Sequence, residues 1–397
     1  MIAERPCPGC EGREVRALFS QRFARVEGLS IHGGYEVVTC ARCGACFADG
    51  LPPQRAFDAY YRDASKYEGH HPGAPIPAHD AARFEADADD FARYIPRADA
   101  TIYEIGCANG GLLAALKRRG FAHVEGLDPS PLSARIAREQ HDVEVATGSF
   151  FSAPGGARRF DVVVLVGVLE HLVDVTTALR STLAALAPGG TLIVEVPDAQ
   201  AFGRRPEAPF QEFSVEHVSY FTAATLDALM RAHGLSSVAT FPSDRLLANG
   251  EPYGQIVGVY RAPASPRADV GELVHVDDAE RALEAYVARC TAAERPILAA
   301  VERLAARSEP FLVWGTGTLT LRLLATSALG RAPIEAFVDS NPHYQGHTLD
   351  GRPILSPDAA VRSRRPIVVS TVGHAQGILD QLARLGATNP VVRLVDA

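Results

Sequence analysis

Short apolar runs alternate with stretches of helical hydrophobic spacing between residues 101 and 196. This pattern predicts strands at Thr101–Ile105, Val124–Leu127, Val143–Thr147, Asp161–Val166 and Thr191–Val196, with helices at Gly111–Arg119, Pro131–Glu139 and Thr176–Leu186. Pro188-Gly189-Gly190 predicts a turn before the last of these strands. Regular strand–helix alternation favours an open, mostly parallel sheet with helices on both faces.

The flanking segments predict further elements. Before residue 101, residues 51–80 indicate a loop or lid, followed by a helix over Ala81–Tyr94. After residue 196, a helix over Thr222–His233 is predicted to be capped by Thr222 and to end before Gly234, with a closing strand at Ile256–Tyr260. A linker at residues 261–267 and a long helix over Asp277–Arg307 come next. Strands at Phe311–Trp314, Ala336–Asp339, Ile367–Ser370 and Val391–Val395, with a helix from Thr318, predict a second α/β unit.

Composition and charge narrow the class of protein. A chain of 397 residues with 47% hydrophobic and 22% charged residues fits a soluble protein of two or three domains. The net charge of -8 argues against nucleic acid as a partner. The longest apolar run, Val162–Leu169, is too short to span a bilayer, and no apolar signal segment begins the chain. We therefore expect a cytoplasmic protein that acts on a small molecule, as a monomer or homodimer.

Five of the seven cysteines precede residue 47. Cys7 and Cys10 form one Cys-x2-Cys pair, and Cys40 and Cys43 form another. Two such turns can direct four thiolates at one ion, so the spacing predicts a structural zinc site. Four reduced core cysteines are the alternative. Cys46 is left over, either as a buried apolar residue or as an alternative ligand.

A glycine-rich turn follows the first predicted strand of the central sheet, and acidic or small residues follow the next strands. Glycines let the backbone approach a ligand closely, and an acidic residue after the second strand can bind both ribose hydroxyls. A dinucleotide or S-adenosylmethionine (SAM) would fit, with adenine held after the third strand. The predicted cofactor residues are Glu104, Gly106, Asn109, Gly110, Asp128, Pro129, Ser149, Phe150 and Val166.

Five landmarks occur in order: Glu-x-Gly at Glu104, Asp-Pro-Ser at Asp128, Gly-Ser-Phe before residue 151, Val-Leu-Glu-His ending at His171, and Pro-Gly-Gly-Thr-Leu before residue 193. This order resembles the class I SAM-dependent methyltransferases. Ala108 stands where these enzymes often carry a central glycine, a small change. The missing glycine also weakens the dinucleotide interpretation.

The whole chain resembles the deoxysugar C-methyltransferases, which act on thymidine-diphosphate (TDP)-linked ketosugars. The resemblance implies a zinc-binding unit with a lid loop (1–70), a doubly wound Rossmann-like SAM domain (71–262) and a C-terminal Rossmann-like α/β domain (270–397). Residues 337–354 and the Trp-Gly-Thr-Gly turn at 314–317 look like the family's C-terminal signature. In that family the C-terminal domain helps to hold the sugar's nucleotide. The substrate-binding candidates are Trp314, Gly315, Gly317, Asp339 and Asn341.

The same resemblance proposes catalytic residues. The family's Tyr-His-Glu-His run is matched at its Glu-His end by Glu216 and His217, while its Tyr and first His are replaced. His217 matches the general base, and His171 and Tyr67 match two further active-site residues. Carbon methylation needs an enolate, and histidine suits its formation because its pKa lies near working pH.

Other interpretations remain open from the residues. Glu216 and His217 could instead order a loop before a helix, Trp314 could be a core residue, and the Gly-x-Gly at 315–317 could form only a tight turn. An O- or N-methyltransferase of another small metabolite would tolerate the shortened motif, because an already reactive nucleophile needs a weaker base. A non-catalytic SAM- or nucleotide-binding scaffold is the third candidate.

Overall fold

The computed structural model describes residues 1–64, 76–151, 158–204, 209–247, 250–264 and 274–394. The chain divides into two compact units, each assembled from separate segments. The first unit comprises Met1–Ala17, Val38–Ala201 and Val218–Ala282. The second comprises Leu18–Val37, Phe202–His217 and Leu283–Ala397.

The N-terminal region contains strands β1 (Val15–Arg22), β2 (Gly34–Cys40) and β3 (Cys46–Asp49), then helices α1 (Gln54–Ala64) and α2 (Ala78–Ala92). The presence of α1 corrects the predicted loop over residues 51–80. Phe57 on this helix is buried. We attribute the helix to its amphipathic spacing, which aligns Phe57 with Tyr60 and Tyr61 on one face.

A seven-stranded sheet forms the centre of the first unit. The chain continues with β4 (Ile102–Ile105), β5 (Val124–Asp128), β6 (Glu144–Thr147), β7 (Phe160–Val166), β8 (Leu186–Pro197), β9 (Ser219–Tyr220), β10 (Ser236–Leu246) and β11 (Pro252–Arg261). All of these strands except β9 belong to the central sheet. The sheet order is β10-β11-β8-β7-β4-β5-β6. Strands β4 to β8 pair in parallel, whereas β10 and β11 close the edge antiparallel. The predicted parallel sheet is confirmed, and β10 is an element that the sequence pattern did not reveal.

Strand β8 begins at Leu186, before the predicted turn at Pro188-Gly189-Gly190, and the predicted strand Thr191–Val196 forms its continuously paired part. Leu186 pairs with Phe160 of β7, and the pairing then resumes with Thr191 opposite Val162. Gly189 has φ +72 within this segment. The Pro-Gly-Gly segment therefore interrupts the pairing of β8 with β7 and leads, as the predicted turn does, into the paired strand at Thr191.

Four helices pack on the two faces of the sheet: α3 (Gly111–Arg118), α4 (Pro131–His141), α5 (Val175–Ala185) and α6 (Ala223–Ala232). The predicted cap of α6 is confirmed, since Thr222 and Thr225 form a reciprocal capping box. One apolar core contains Leu165 and Leu226, and the other contains Leu113 and Val164. Because a central parallel sheet is covered on both faces, its strands are nearly continuous apolar runs.

The second unit carries a six-stranded sheet in the order β14-β15-β13-β12-β16-β17. Its strands are β12 (Phe311–Trp314), β13 (Ile334–Val338), β14 (Thr348–Leu349), β15 (Arg352–Leu355), β16 (Ile367–Val369) and β17 (Val391–Arg393), and its helices include α8 (Thr318–Thr326), α9 (Pro357–Ser363) and α10 (Ala375–Arg384). All pairs are parallel except β14 with β15. The buried Trp314 lies in the core cluster of this sheet.

Helix α7 (Asp278–Ala305) has 28 residues and contains Pro296. Charged residues interrupt its apolar positions along the whole length. Among the helices of the described ranges, none is both long enough and apolar enough to cross a bilayer.

Candidate cofactor site and catalytic residues

The glycine turn after β4 is shaped by close approaches that leave no room for side chains. Gly106 has φ +79 and Gly110 has φ +77. A Cβ atom on Gly106 would lie 2.6 Å from Cγ2 of Val168, and one on Gly111 would lie 2.2 Å from the ring of Phe84. Glycine is thus required at position 106 by both conformation and space, at position 110 by its left-handed conformation, and at position 111 by the nearby Phe84 ring.

Asp128, the last residue of β5, ties this turn to the next one. One carboxylate oxygen accepts a hydrogen bond from the Ala108 N–H at 2.8 Å, and the other accepts from the Ser130 N–H at 2.9 Å. Ala108 adopts φ +46, where an L-residue costs roughly 1–2 kcal/mol and glycine costs little. Alanine in place of the glycine that is common in these enzymes therefore keeps the same backbone conformation, at a modest cost in conformational free energy.

Glu104 lies on β4 directly beneath the glycine turn and is 4% exposed. Its Oε2 has no hydrogen-bond partner among the described residues. Burial, with added repulsion from Asp87 and Asp128 and partial relief from Arg83, raises the pKa of Glu104 to about 8. A buried acceptor without a partner is costly, so this carboxyl fits a cationic or hydrogen-bond-donating ligand.

The remaining predicted cofactor residues follow the carboxyl ends of the parallel strands. Asn109 and Pro129 are half-buried in the turns after β4 and β5, and Val166 is half-buried at the end of β7. Ser149 and Phe150 follow β6; the Phe150 ring is in the apolar core and its carbonyl accepts a hydrogen bond from Ser181. In sheets of this kind ligands bind outside the carboxyl ends, where these residues lie.

His171 ends the short 3-10 turn at Leu169–His171 that follows β7. Its Nδ1 is 2.9 Å from the hydroxyl of Tyr61 on α1. Sequence comparison selected Tyr67 as the tyrosine of this region, and Tyr67 lies outside the described residues. Tyr61 was missed because residues 51–80 were expected to be a loop; the amphipathic spacing of α1 was the available signal.

Glu216 and His217 close the 202–217 segment of the second unit. The hydroxyl oxygen of Ser214 accepts hydrogen bonds from both of their N–H groups, at 3.2 and 3.1 Å. Glu216 is buried, and His217 is half-buried. These two hydrogen bonds order the backbone that carries the Glu216 and His217 side chains.

The glycine turn after β12 is tied to the ends of neighbouring strands in the second unit. The Thr316 N–H donates to Asp339 Oδ2 at 3.2 Å, and the Asn341 N–H donates to Asp339 Oδ1 at 2.9 Å. Gly315 has φ +113, and a Cβ on Gly317 would meet no atom within 4 Å. The arrangement repeats, in the second unit, the pattern of a carboxylate beside a glycine turn.

The four predicted metal ligands come together in the first unit. Cys7, Cys10, Cys40 and Cys43 offer Sγ atoms that all lie within 4.8 Å of one another. The Sγ atoms of Cys7 and Cys43 are 3.4 Å apart, close to the ~3.8 Å expected for thiolates on one tetrahedral zinc ion. The donor set and spacing fit Zn²⁺.

Both cysteine turns have the same backbone design. The Glu11 N–H donates to the Cys7 carbonyl, and the Gly44 N–H donates to the Cys40 carbonyl, each at 2.9 Å. Cys46 stands outside the four-cysteine group and is buried in β3, with its thiol 3.7 Å from the Gly44 carbonyl. This placement favours the interpretation of Cys46 as a buried core residue.

Residues 78–240 match the family model described as a methyltransferase domain. This range contains the glycine turn, Asp128, His171 and α6. The chain therefore carries a methyltransferase domain with an α/β Rossmann-like fold.

Curated relatives extend the comparison. The ubiquinone biosynthesis O-methyltransferase of Methylobacterium sp. (strain 4-46) is 31% identical over 168 residues, which cover 39% of this chain and 59% of that protein. The C-methyltransferase NovU of Streptomyces niveus is 27% identical over 291 residues, 66% of each chain. The chain thus spans between about two fifths and two thirds of its first curated relatives.

Among solved structures, the Burkholderia thailandensis 1,6-didemethyltoxoflavin-N1-methyltransferase, with its bound substrate and S-adenosylhomocysteine, is 19% identical. It covers 56% of this chain and 97% of its own, with a TM-score of 0.42.

Replacing Glu104 by Gln tests the buried carboxyl. The folded pKa of about 8 lies above that of an unfolded glutamate, so the stabilising protonated form is fully present at low pH and is lost as pH rises toward 8. Glu104→Gln should therefore stabilise the ligand-free protein increasingly between pH 5 and 8, by on the order of 3 kcal/mol at pH 7. S-adenosylhomocysteine binding should weaken at least tenfold.

Denaturant unfolding at pH 5 and pH 8, with calorimetric titration of S-adenosylhomocysteine, measures both effects. The matched control is Glu144→Gln, because the exposed Glu144 side chain lies on β6 of the same sheet and should change neither quantity. The same difference in unfolding free energy between Glu104→Gln and the original protein at both pH values, or unchanged ligand affinity, would contradict the role of Glu104.

Removal of one thiolate tests the metal site. Cys40→Ser should reduce bound zinc from about one ion per chain and lower the melting temperature, because a structural zinc ion contributes folding free energy. Cys46→Ser is the control and should keep its zinc. Metal content by mass spectrometry decides between them, and zinc retained in Cys40→Ser would refute the assignment.

Proposed function

We propose that this protein is a SAM-dependent methyltransferase. The observation that carries the proposal is the buried carboxyl of Glu104, with an oxygen that lacks a partner, beneath a glycine turn in a matched methyltransferase domain. SAM supplies an electrophilic methyl group when bound. Glu104 would accept a hydrogen bond from its ammonium group, and Asp128 would bind its ribose.

The proposed reaction is methylation of a carbon atom in a TDP-linked ketodeoxysugar. Support comes from the NovU relative, named a C-methyltransferase, whose match of 291 residues is longer than the matched methyltransferase domain. The ubiquinone biosynthesis O-methyltransferases of Methylobacterium sp. (strain 4-46) and Aeromonas salmonicida (strain A449) match 39% and 44% of this chain. A relationship that extends beyond the cofactor domain favours a shared substrate class.

His217 is the proposed general base, with Glu216 as its neighbour. It would remove the proton on the carbon next to the ketone, and the resulting enolate carbon would form the new bond to the methyl group. His171, with Nδ1 2.9 Å from the Tyr61 hydroxyl and Nε2 3.9 Å from Glu170 Oε1, would be held in one ring orientation beside the sugar. Tyr67 stays a proposed member of this set.

Trp314, Gly315, Gly317, Asp339 and Asn341 would form the nucleotide subsite in the second unit. Gly315 and Gly317 leave the backbone accessible, and Asp339 and Asn341 follow the adjacent strand β13. Trp314, which is 1% exposed, would support this turn from the core. Zn²⁺ on Cys7, Cys10, Cys40 and Cys43 is proposed as structural, because four thiolates leave no open coordination position.

O-methylation of a small metabolite is the second candidate. The specific observation in its favour is the 31% identity to a ubiquinone biosynthesis O-methyltransferase. Its nucleophile would need only a weak base, so this reaction would tolerate the incomplete family motif around Glu216 and His217.

Replacing His217 by Ala tests the base. With TDP-4-keto-6-deoxyglucose as probe, turnover should fall at least 10²-fold, since general bases contribute about 10²–10⁴-fold, while S-adenosylhomocysteine affinity stays within threefold. Exchange of the probe's α-proton into deuterated water should be lost in parallel. Full exchange and turnover in this variant would reject His217 as the base; His374→Ala, in the second unit, is the control.

Thermal unfolding with nucleotides tests the substrate class. The protein saturated with S-adenosylhomocysteine should melt at a higher temperature when TDP is added, because a ligand of the folded state stabilises it by mass action. Uridine and guanosine diphosphates are the comparison ligands. No shift with any of them would favour a substrate without a nucleotide, and no methyl transfer to any acceptor would favour a non-catalytic scaffold.

A further inference from the structure

Arg5 is a buried cation in the first unit, two residues before the metal-ligand candidate Cys7. Only 8% of the residue is exposed. Its N–H, and that of Glu4, donate to the Asp49 carboxylate at the end of β3 at 3.0 Å. The guanidinium lies over the Phe47 ring at 4.9 Å from the centroid. Both the backbone and the side chain of Arg5 are therefore held in place by β3.

The guanidinium group joins two segments that are far apart in sequence. It donates to the Val173 carbonyl at 2.8 Å and to the Val218 carbonyl at 2.7 Å. Val173 comes two residues after His171, and Val218 directly follows His217. One side chain thus holds the chain beside each of the two candidate catalytic histidines.

Other hydrogen bonds complete this junction. The Val218 N–H donates to the Glu170 carbonyl at 2.7 Å, and the Ser219 hydroxyl donates to the Leu172 carbonyl at 3.3 Å. On the opposite side, the Val173 N–H donates to Gln54 Oε1 at 2.8 Å. Gln54 begins α1, the helix that carries Tyr61. Removing Arg5 would leave the buried Val218 carbonyl and the half-buried Val173 carbonyl without their charged donor.

Arginine suits this position because its planar fork reaches two acceptors at once. A lysine ammonium is a single point charge on a flexible stem and would not reproduce the fixed geometry. Charge-assisted hydrogen bonds are also stronger than neutral ones. Arg5 donates to the backbone carbonyls of Val173 and Val218, so its effect on chemistry would be exerted through the chain segments that it holds.

We infer that Arg5 is a positioning residue that fixes the loops of His171 and His217, and that it couples the four-cysteine unit to catalysis. The effect of Arg5 on catalysis rests on the proposed function, whereas its effect on the positions of the two chain segments does not. The four-cysteine segment would then have a role beyond stability, because Arg5, anchored on Asp49, holds the chain segments that follow His171 and His217 in sequence.

The experiment compares Arg5→Met and Arg5→Lys with Arg42→Met as a matched control. Arg42 is exposed and lies between the cysteines of the second pair. Four quantities are measured in the full-length protein: zinc content, S-adenosylhomocysteine affinity, amide hydrogen exchange at Val218, and the imidazole titration of His171 by NMR. Methyl transfer to TDP-4-keto-6-deoxyglucose is the fifth.

Arg5→Met should exchange the Val218 amide at least tenfold faster and shift the His171 titration, with zinc content unchanged and S-adenosylhomocysteine affinity within threefold. Turnover should fall at least tenfold with little change in KM for SAM. Arg5→Lys should recover part of the exchange protection, and Arg42→Met should match the original protein.

Wild-type exchange and titration in Arg5→Met would overturn the inference. So would loss of zinc, ligand binding and fold together in both Arg5 variants, since this would show a general structural role. If the unaltered protein transfers no methyl group to the probe, the proposed function fails, yet the exchange and titration data still decide whether Arg5 positions the two loops.

Discussion

The cost of burying charge is the constraint on which the first unit depends. Glu195 is fully buried on β8, and Arg245 on β10 donates to it at 3.3 Å and to Asp87 of α2. Burial, with repulsion from Asp87, raises the pKa of Glu195 well above its ordinary value. Removing either partner from such a cluster leaves an uncompensated charge, so these three elements must keep their positions. The antiparallel strand β10 therefore forms the edge of the sheet and also carries the cation, Arg245, that pairs with Glu195 on β8.

Glu104 lies close enough to Asp87 of this cluster to be repelled by it, and its Oε2 finds no hydrogen-bond partner among the described residues. Parallel strands bring their carboxyl ends to one edge, where Asp128 joins the turns after β4 and β5 through two backbone N–H groups. The backbone at this edge is thus ordered before a ligand binds, and a cationic cofactor would provide the positive charge that pairs with the Glu104 carboxylate. The same logic recurs in the second unit, where Asp339 binds the turn after β12.

The N-terminal cysteine unit contributes to the first unit through polar contacts as well as its metal-binding geometry. Asp49 accepts backbone hydrogen bonds from Glu4 and Arg5, and Arg5 donates to carbonyls after β7 and before β9. These charge-assisted hydrogen bonds are stronger than neutral ones, so they help to fix the N-terminal segment within the first unit.

The sequence by itself determined the parallel sheet, the glycine turn, Asp128 and the four cysteines, because these follow from hydrophobic periodicity and short-range spacing. It also predicted the cap of α6, a contact between residues three apart. Only the tertiary structure decided that α1 is a helix whose Tyr61 meets His171, that β10 adds an edge strand, and that Arg5 reaches Val173 and Val218. These contacts join residues separated by up to 213 positions, and local pattern carries no information about such pairings.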